Sequence, residues 1–170
     1  MTTAVHVRAY ESRDHDVCSA LWEDLTEWHR MLYARHEIGE LDAGREHDRH
    51  LARVGAQNIW VAEVDGVVAG FAALVVDGER GELEPVIVSA AHRRRGVGER
   101  LVAAVIAAAR ERGLRQLKVR PVARNTHAIR FFRWCGFDVL GHLDLLMDLV
   151  PREGGPWRAG ERIANRDFRV

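Results

Sequence analysis

The sequence predicts an α/β (α+β) domain in which a mixed, mostly antiparallel central sheet is flanked by helices. Two hydrophobic patterns predict it: short runs alternate apolar and polar residues, and longer runs repeat apolar residues every three or four positions. Three strand-like runs follow one another within 59–88, whereas the later strands are separated by helices. Strands joined by tight turns pair antiparallel, and strands joined through a helix can pair parallel, so a mixed sheet results.

The N-terminal third is predicted to be one strand followed by two helices. Residues 4–10 alternate apolar and polar side chains, as a half-buried strand does. The apolar residues of 14–35 recur at helical spacing after a polar helix start. Residues 36–57 are polar and contain a second helix around 44–54.

The middle third is predicted to be an antiparallel meander. The apolar runs 59–64 and 67–76 are joined by Asp-Gly at 65–66, which is a strong signal for a two-residue hairpin turn. A second turn, at 77–81, leads into a third strand at 82–88.

The remaining elements alternate helices and strands. A helix with an apolar face is predicted at 96–112, and a strand at 114–122. A further helix begins at Asn125 and ends at Gly136, and a long final strand follows at 137–149.

The chain length of 170 residues fits one domain, which we expect to cover 1–150. Residues 151–170 have no clear period and are expected to form a C-terminal extension. The long last strand, together with Trp157 in this extension, favours a homodimer, because an edge strand and an aromatic tail both need cover.

The overall composition excludes several classes of protein. The formal net charge is zero, which argues against a general nucleic-acid binder. The longest apolar stretch, within 101–109, is too short to span a bilayer, and the first residues lack the features of a signal peptide. We therefore expect a cytoplasmic protein without nucleic acid or membrane as a partner, and with Cys18 and Cys135 as buried thiols.

The most informative segment joins the third strand of the meander to the next helix. Its loop carries Arg93, Arg94 and Arg95, and the helix opens with Gly96 and Gly98. The first N–H groups of a helix lack intrahelical partners and lie at the positive end of its dipole. Glycine lets a bulky anion approach them, and arginine adds charge-assisted hydrogen bonds. These features predict a pyrophosphate site; the alternative is a solvated basic loop ahead of a surface helix.

Two other phosphate-binding motifs are excluded by the same segment. A dinucleotide-binding loop needs a third glycine and an acidic residue at the end of the next strand. Leu101 stands at the third position here, and the next strand ends with Arg120 and Pro121. A Walker loop needs Gly-Lys-Ser/Thr, which this segment does not contain.

Two motifs resemble those of the Gcn5-related N-acetyltransferase (GNAT) superfamily. Segment 93–98 reads Arg-Arg-Arg-Gly-Val-Gly and matches the family's Arg/Gln-x-x-Gly-x-Gly/Ala. Segment 125–137 reads Asn-Thr-His-Ala-Ile-Arg-Phe-Phe-Arg-Trp-Cys-Gly-Phe and matches the family's second signature, which starts Asn-x-x-Ala and ends Gly-Phe. The likeness is good over 59–149, and over 1–58 it rests on topology alone.

The resemblance implies a GNAT fold, whose middle strands splay apart, and an acetyl-CoA-binding acetyltransferase domain at 1–150. The implied activity is direct transfer of the acetyl group of acetyl-CoA to a primary amine of a small molecule or amino-acid-like metabolite. Two alternatives remain open: a protein or peptide Nα-acetyltransferase, and a catalytically silent acyl-CoA-binding module.

The resemblance also implies which residues hold acetyl-CoA. Backbone amides of 94–99 and the Arg93 side chain are expected to bind the pyrophosphate, and Ile87 and Val88 to pair their backbone with the pantetheine arm. Asn125 is expected to bond the pantetheine region, and residues of the following helix to pack along the cofactor. The full set is Ile87, Val88, Arg93, Arg94, Arg95, Gly96, Val97, Gly98, Glu99, Asn125, Ala128, Phe131, Phe132 and Arg133.

Acetyl transfer to an amine needs a base and a group that stabilises the thioester carbonyl as it gains charge. The N–H of Val88 is expected to polarise that carbonyl. Glu84 is the expected base, because it lies four residues before Val88 at a position where many family members carry a carboxylate. Glu82 lies two residues earlier on the same strand face, and either carboxylate can instead simply solvate a strand end.

The proton donor to the leaving thiolate is where this sequence departs from the family. Many members have a tyrosine where this chain has Phe132, and phenylalanine cannot donate a proton. Either the thiolate leaves unaided or another group donates; the candidates are Cys135, His127, His142 and Tyr33.

The acceptor amine is expected to lie near the first helix and Glu84. Trp28, His29 and Tyr33 offer aromatic faces there, and His36, Glu37 and several acidic residues are nearby in sequence. The alternative is an amphipathic helix with a solvated acidic side.

No metal site is expected from the sequence. His47 and His50 share a helix face at i and i+3, but no third ligand at a plausible spacing is evident. We therefore expect this helix to be solvated.

Overall fold

The protein is described here by a computed structural model over residues 4–33, 43–149, 157–163 and 165–170. Its strands are β1 (Val5–Ala9), β2 (Ile59–Val64), β3 (Val67–Asp77), β4 (Arg80–Val88), β5 (Gln116–Lys118), β6 (Ala159–Ile163) and β7 (Arg166–Arg169). Its α-helices are α1 (His15–Tyr33), α2 (Ala43–Val54), α3 (Val97–Glu111) and α4 (Thr126–Trp134).

The central sheet has the order β1-β2-β3-β4-β5. Neighbouring strands are antiparallel except β4 and β5, which are joined through α3 and pair parallel. Asp65 and Gly66 connect β2 to β3 with positive φ angles of 53° and 78°, as a primed two-residue hairpin turn requires. The predicted mixed, mostly antiparallel sheet flanked by helices is confirmed.

The two faces of the sheet carry separate hydrophobic cores. Along β3, Phe71 and Ala73 belong to the core under α1 and α2, whereas Ala72 and Leu74 belong to the core under α3. This division follows from the alternation of side chains along a strand. Phe131 and Phe132 of α4 also pack against the α3 core, so α1 and α2 cover one face and α3 and α4 the other.

Two sequence predictions about the C-terminal part are wrong. The strand predicted at 114–122 is only three residues long, because β4 diverges from it and its backbone loses its partner. Residues 137–149 form no strand; Phe137 is half-buried against Phe132, but the other apolar side chains are exposed, Met147 at 81%. Their composition favours a strand, but a strand exists only where a second one pairs with it. The C-terminal extension, whose sequence shows no clear period, contains the hairpin of β6 and β7.

Among the described residues, no helix combines the length and apolar character needed to cross a membrane.

A buried ion pair ties β1 to the start of α1 and to β2. Arg8 donates to both carboxylate oxygens of Asp14 at 2.7 and 2.8 Å, and to Glu63 at 2.6 Å. Asp14 is only 3% exposed and also accepts the backbone N–H of Glu11 at 2.8 Å. Hydrogen bonds from Arg8 hold the pKa of Asp14 below its ordinary value.

Replacing Asp14 with asparagine is expected to lower the free energy of unfolding by about 2 kcal/mol near neutral pH, because Arg8 loses a buried charged partner. A depressed carboxyl pKa gives stability that is present above the unfolded pKa and is lost as the pH falls through the folded pKa. Urea unfolding at neutral and acidic pH measures this, and the difference between the two proteins should shrink in acid. Asp24→Asn, at an exposed position of α1, is the matched control; an equal loss there would contradict the assignment.

Candidate active site

The sheet opens between β4 and β5. Residues 80–82 pair with 116–118, and beyond that register the two strands share no further pairs. The edge of β4 from 83 to 88 therefore faces a gap. This is the divergence of middle strands that the resemblance implied.

A β-bulge in β4 lies at the start of this gap. Leu83 pairs with Leu74 and Val86 pairs with Ala72, so two residues of β4 stand opposite one residue of β3. A bulge bends its strand and re-aims the side chains within it. Glu84 is one of the two bulged residues.

The backbone of β4 beyond the bulge presents hydrogen-bonding groups to the gap. The N–H of Ser89 donates to the carbonyl of Ala69 at 2.9 Å, and hydrogen-bonded pairs alternate along an antiparallel ladder. The N–H and C=O of Ile87 therefore point to β3, whereas those of Val86 and Val88 point to the gap. Sequence reasoning named Ile87 and Val88; Val86 was missed, because the ladder register is set by the β3 partner.

The two carboxylates of this strand have different surroundings. Glu82 is 8% exposed and binds Arg120 Nε at 2.6 Å and Lys118 Nζ at 3.1 Å. Burial alone would raise the pKa of Glu82, but the hydrogen bonds from Lys118 and Arg120 lower it below its ordinary value. Glu82 is therefore ionised, and its two ion pairs link β4 to the segment around β5.

Glu84 is more accessible than Glu82, and among the described residues Arg53 is its weak ion-pair partner. Its side chain is 40% exposed, and its Oε2 lies 3.5 Å from Nη2 of Arg53 on α2. Arg53 in turn approaches Nδ1 of His50 at 3.2 Å. No sequence signal identified Arg53, because it lies 31 residues before Glu84 and meets it only through the packing of α2 on the sheet.

The loop after β4 is built by local turns. Ser89 accepts the backbone N–H of His92 at 3.0 Å, and the Ser89 hydroxyl lies 2.7 Å from Nδ1 of His92. Arg94 and Gly96 have positive φ angles of 61° and 80°, and α3 begins at the next residue, Val97. A Cβ added to Gly96 would meet no atom within 4 Å, so its backbone is open to a bulky group.

The three loop arginines are all exposed, and Arg93 folds back onto the sheet and α1. Its Nε donates to the carbonyl of Val88 at 3.3 Å, and its guanidinium lies 6.0 Å from the ring centre of Trp28. Arg93 therefore brings the loop, the end of β4 and the Trp28 ring to one place.

In the first turn of α3, the groups available to a ligand are backbone N–H groups and not side chains. Val97 is buried in the core, and a Cβ added to Gly98 would lie 3.1 Å from the Phe131 ring and 3.7 Å from Val88. Glu99 is exposed. The free N–H groups of this turn thus lie close to both the end of β4 and α4.

The α4 helix is capped by Asn125, whose Oδ1 accepts the backbone N–H of Ala128 at 3.0 Å. Phe131 and Phe132 are both half-buried, with ring centres 5.2 Å apart. Phe131 contacts the Gly98 region, whereas Phe132 packs edge-on against Phe137 at 5.8 Å. Phe132 therefore has a packing role where many family members carry tyrosine.

The remaining residues predicted to bind acetyl-CoA or to donate a proton lie at the periphery of the candidate site. Arg133 is exposed and lies 3.9 Å from a carboxylate oxygen of Asp138. Burial raises the pKa of the half-buried Cys135 thiol, and His127 and His142 are exposed.

On the acceptor side, Trp28 and His29 are half-buried on α1. Burial lowers the pKa of His29, so its imidazole is neutral near pH 7. Tyr33 is the last residue of α1; its side chain, and residues His36 and Glu37, lie outside the described part of the chain.

The expectation that α2 carries solvated histidines is wrong. His47 is 1% exposed and His50 is 5% exposed, and both rings pack near Trp22. Burial, with Arg53 nearby, lowers the pKa of His50 to about 4. The sequence shows only a polar helix here; its packing against α1 and β3 buries these two rings.

Comparison with known proteins agrees with this fold. A family model described as "Acetyltransferase (GNAT) family" matches residues 17–137, which is well over half of the chain. The chain therefore belongs to this family of acetyltransferases.

Solved structures include several similar folds. An acetyltransferase of the GNAT family from Staphylococcus aureus Mu50 has a TM-score of 0.68 at 14% identity, over 88% of this chain and 94% of that one. A ribosomal-protein alanine N-acetyltransferase from Escherichia coli has a TM-score of 0.62 at 18% identity, over 81% and 80%. N-acetylglutamate synthase from Neisseria gonorrhoeae, solved with coenzyme A and N-acetyl-glutamate, has a TM-score of 0.60 at 27% identity, over 78% and 28%.

Proposed function

We propose that this protein transfers the acetyl group of acetyl-CoA directly to the primary amine of a small molecule or amino-acid-like metabolite. One observation carries the proposal: the free edge of β4 lies between the loop at 93–98 and the accessible carboxylate of Glu84. Membership of the acetyltransferase family supports acetyl transfer. The coenzyme A bound to the similar synthase from Neisseria gonorrhoeae supports acetyl-CoA as the donor.

The residues present fit a CoA pyrophosphate. Gly96 leaves open space above its backbone, the N–H groups of the first α3 turn have no helical partner, and Arg94 and Arg95 are exposed beside them. The N–H and C=O groups of Val86 suit the amides of an extended pantetheine arm, and the N–H of Val88 faces the same gap. Asn125 caps α4 with its carbonyl oxygen, so its NH₂ group is still a donor for that arm.

The chemistry follows from this placement. The amine nitrogen attacks the thioester carbonyl carbon, a C–N bond forms, the C–S bond breaks, and the CoA thiolate leaves with the electron pair. The Val88 N–H stabilises the charge that develops on the carbonyl oxygen. Glu84, directly or through a water, takes the proton that the ammonium must lose before it can attack. The second proton, which the attacking nitrogen loses as the amide forms, goes to the departing thiolate directly or through water, so that CoA leaves as the thiol.

An amino-acid-like acceptor is supported by the pair of Arg53 and Glu84. An exposed ion pair of this kind is worth only about 0–1 kcal/mol, so a ligand can separate it. The acceptor ammonium then faces Glu84 and the acceptor carboxylate faces Arg53, whose guanidinium suits a carboxylate. The Trp28 ring borders the same region through its contact with Arg93.

Thiol release from acetyl-CoA with a panel of amines tests the proposal. We expect saturable release with free amino acids and at least about tenfold lower kcat/KM with the matching amino-acid amides, which lack the carboxylate, since one charge-assisted pair contributes about 1.5–3 kcal/mol. Preference for peptides would favour the Nα-acetyltransferase alternative. Tight CoA binding without release for any amine would favour the silent module, which the phenylalanine at position 132 also permits.

A further inference from the structure

A cluster outside the acetyl-transfer site joins the start of α1 to α2. His15, the first residue of α1, lies with its Nε2 at 2.8 Å from Oδ1 of Asp48 on α2. The ring centres of His15 and His47 are 5.4 Å apart. One donor atom from each of His15, His47 and Asp48 lies within 4.8 Å of the other two.

His47 is the unusual member of this cluster. It is 1% exposed, yet neither ring nitrogen has a hydrogen-bond partner among the residues that the structure describes. Its ring lies between Trp22 and Phe71, with centroid distances of 5.8 and 5.9 Å. A buried polar group without a partner destabilises a protein by about 1–3 kcal/mol. An apolar side chain at position 47 would therefore give a more stable protein, unless the imidazole binds a ligand.

We propose that His15, His47 and Asp48 bind a divalent transition-metal ion, with Zn²⁺ as the best match. Two imidazoles and one carboxylate are a donor set that suits Zn²⁺. His15 and Asp48 are partly exposed, which leaves room for water as the fourth ligand. The sequence alone missed the third ligand, because His15 lies 32 positions before His47 and on another helix.

The distances are compatible with a metal after small side-chain movements. Donors bound to a tetrahedral zinc ion at 2.0–2.2 Å stand roughly 3.4 Å apart. The widest donor pair here must therefore approach by roughly 1.4 Å, and His15 and Asp48 must separate slightly. His47 is held by its packing, so this movement must come from the partly exposed side chains of His15 and Asp48.

One further feature favours ligation over a simple ion pair. Asp16 lies 3.0 Å from Nδ1 of His15 and orients the opposite nitrogen, Nε2, towards Asp48, as carboxylates commonly do for metal-binding histidines. The ion would tie α1 to α2, the helix that carries Arg53.

Isothermal titration of the tag-free protein with Zn²⁺ tests the site. We expect one ion per chain, with affinity reduced at least about tenfold in His15→Gln and Asp48→Asn. The matched controls are His6→Gln and Asp24→Asn, which remove an exposed histidine and an exposed aspartate elsewhere; their affinity should equal that of the parent protein. Co²⁺ should give the visible absorption of a four-coordinate site, and the two ligand variants should lose it.

A measurement of thermal stability distinguishes the loss of zinc binding from a defect in folding. His47→Leu replaces the unpartnered ring by an apolar side chain, so the metal-free variant should fold at least as well as the parent. Zn²⁺ should raise the Tm of the parent protein and leave that of His47→Leu unchanged. No zinc uptake, or equal uptake by parent, His15→Gln and Asp48→Asn, would overturn the proposal; in the latter case the ion binds only adventitiously.

Discussion

Replacing Glu84 with glutamine is expected to lower kcat about 100-fold while leaving the affinity for acetyl-CoA within about twofold. Glutamine preserves the shape of the side chain but cannot accept the ammonium proton at neutral pH. Glu84 lies at the bulge of β4 and not in the loop at 93–98, so the pyrophosphate site keeps its residues. Steady-state kinetics with saturating amine, together with titration of CoA, separate the two effects.

Glu82→Gln is the matched control on the same strand. Glu82 is fixed by Lys118 and Arg120, so its loss should lower the free energy of unfolding by about 1–2 kcal/mol and change the kcat of the folded protein little. If Glu84→Gln keeps the parent kcat, Glu84 has no part in the reaction. If Glu82→Gln shows the larger fall in kcat, the two roles are reversed.

Replacing Gly98 with valine is expected to weaken CoA binding about 100-fold. The added Cβ would lie 3.1 Å from the Phe131 ring and 3.7 Å from Val88, and the two methyl groups beyond it would occupy the space next to the first α3 turn. A pyrophosphate would then lose about one charge-assisted hydrogen bond to the backbone, worth about 1.5–3 kcal/mol. Fluorescence titration or calorimetry with CoA measures the loss.

Gly141→Val is the control for the same substitution in an open place. A Cβ at Gly141 would meet no atom within 4 Å, and the residue lies outside the loop and α3. Its CoA affinity should therefore match that of the parent protein. Normal CoA affinity in Gly98→Val, with the fold verified by circular dichroism, would show that the pyrophosphate lies elsewhere.

Local patterns in the sequence predicted the parts of the fold that depend on local chemistry. The Asp65-Gly66 turn, the meander it joins, and the boundaries of α3 and α4 lie where turn and cap residues predict them. Gly96 lies at a position that needs a positive φ, and Asn125 at an N-cap. Each is set by a residue and its immediate neighbours, so it can be recognised without the rest of the chain.

Contacts between distant segments decide the surroundings of the site residues, which the sequence patterns leave open. Glu82 and Glu84 are equivalent by alternation along a strand, yet Lys118 and Arg120 hold one while Arg53 lies near the other. The choice of Val86 and Val88 over Ile87 as the gap-facing residues depends on the register with β3. Neither could be derived from residue types alone.

The sequence by itself determined that this chain has a strand, an arginine-rich loop and a glycine-bearing helix in the order its family uses. Only the tertiary structure decided that 137–149 lacks a sheet partner, that His47 is buried beside His15, and that Arg53 meets Glu84. The reason is physical: turns and caps are formed by neighbouring residues, whereas strand pairing, burial and ion pairing depend on distant segments that the fold brings together.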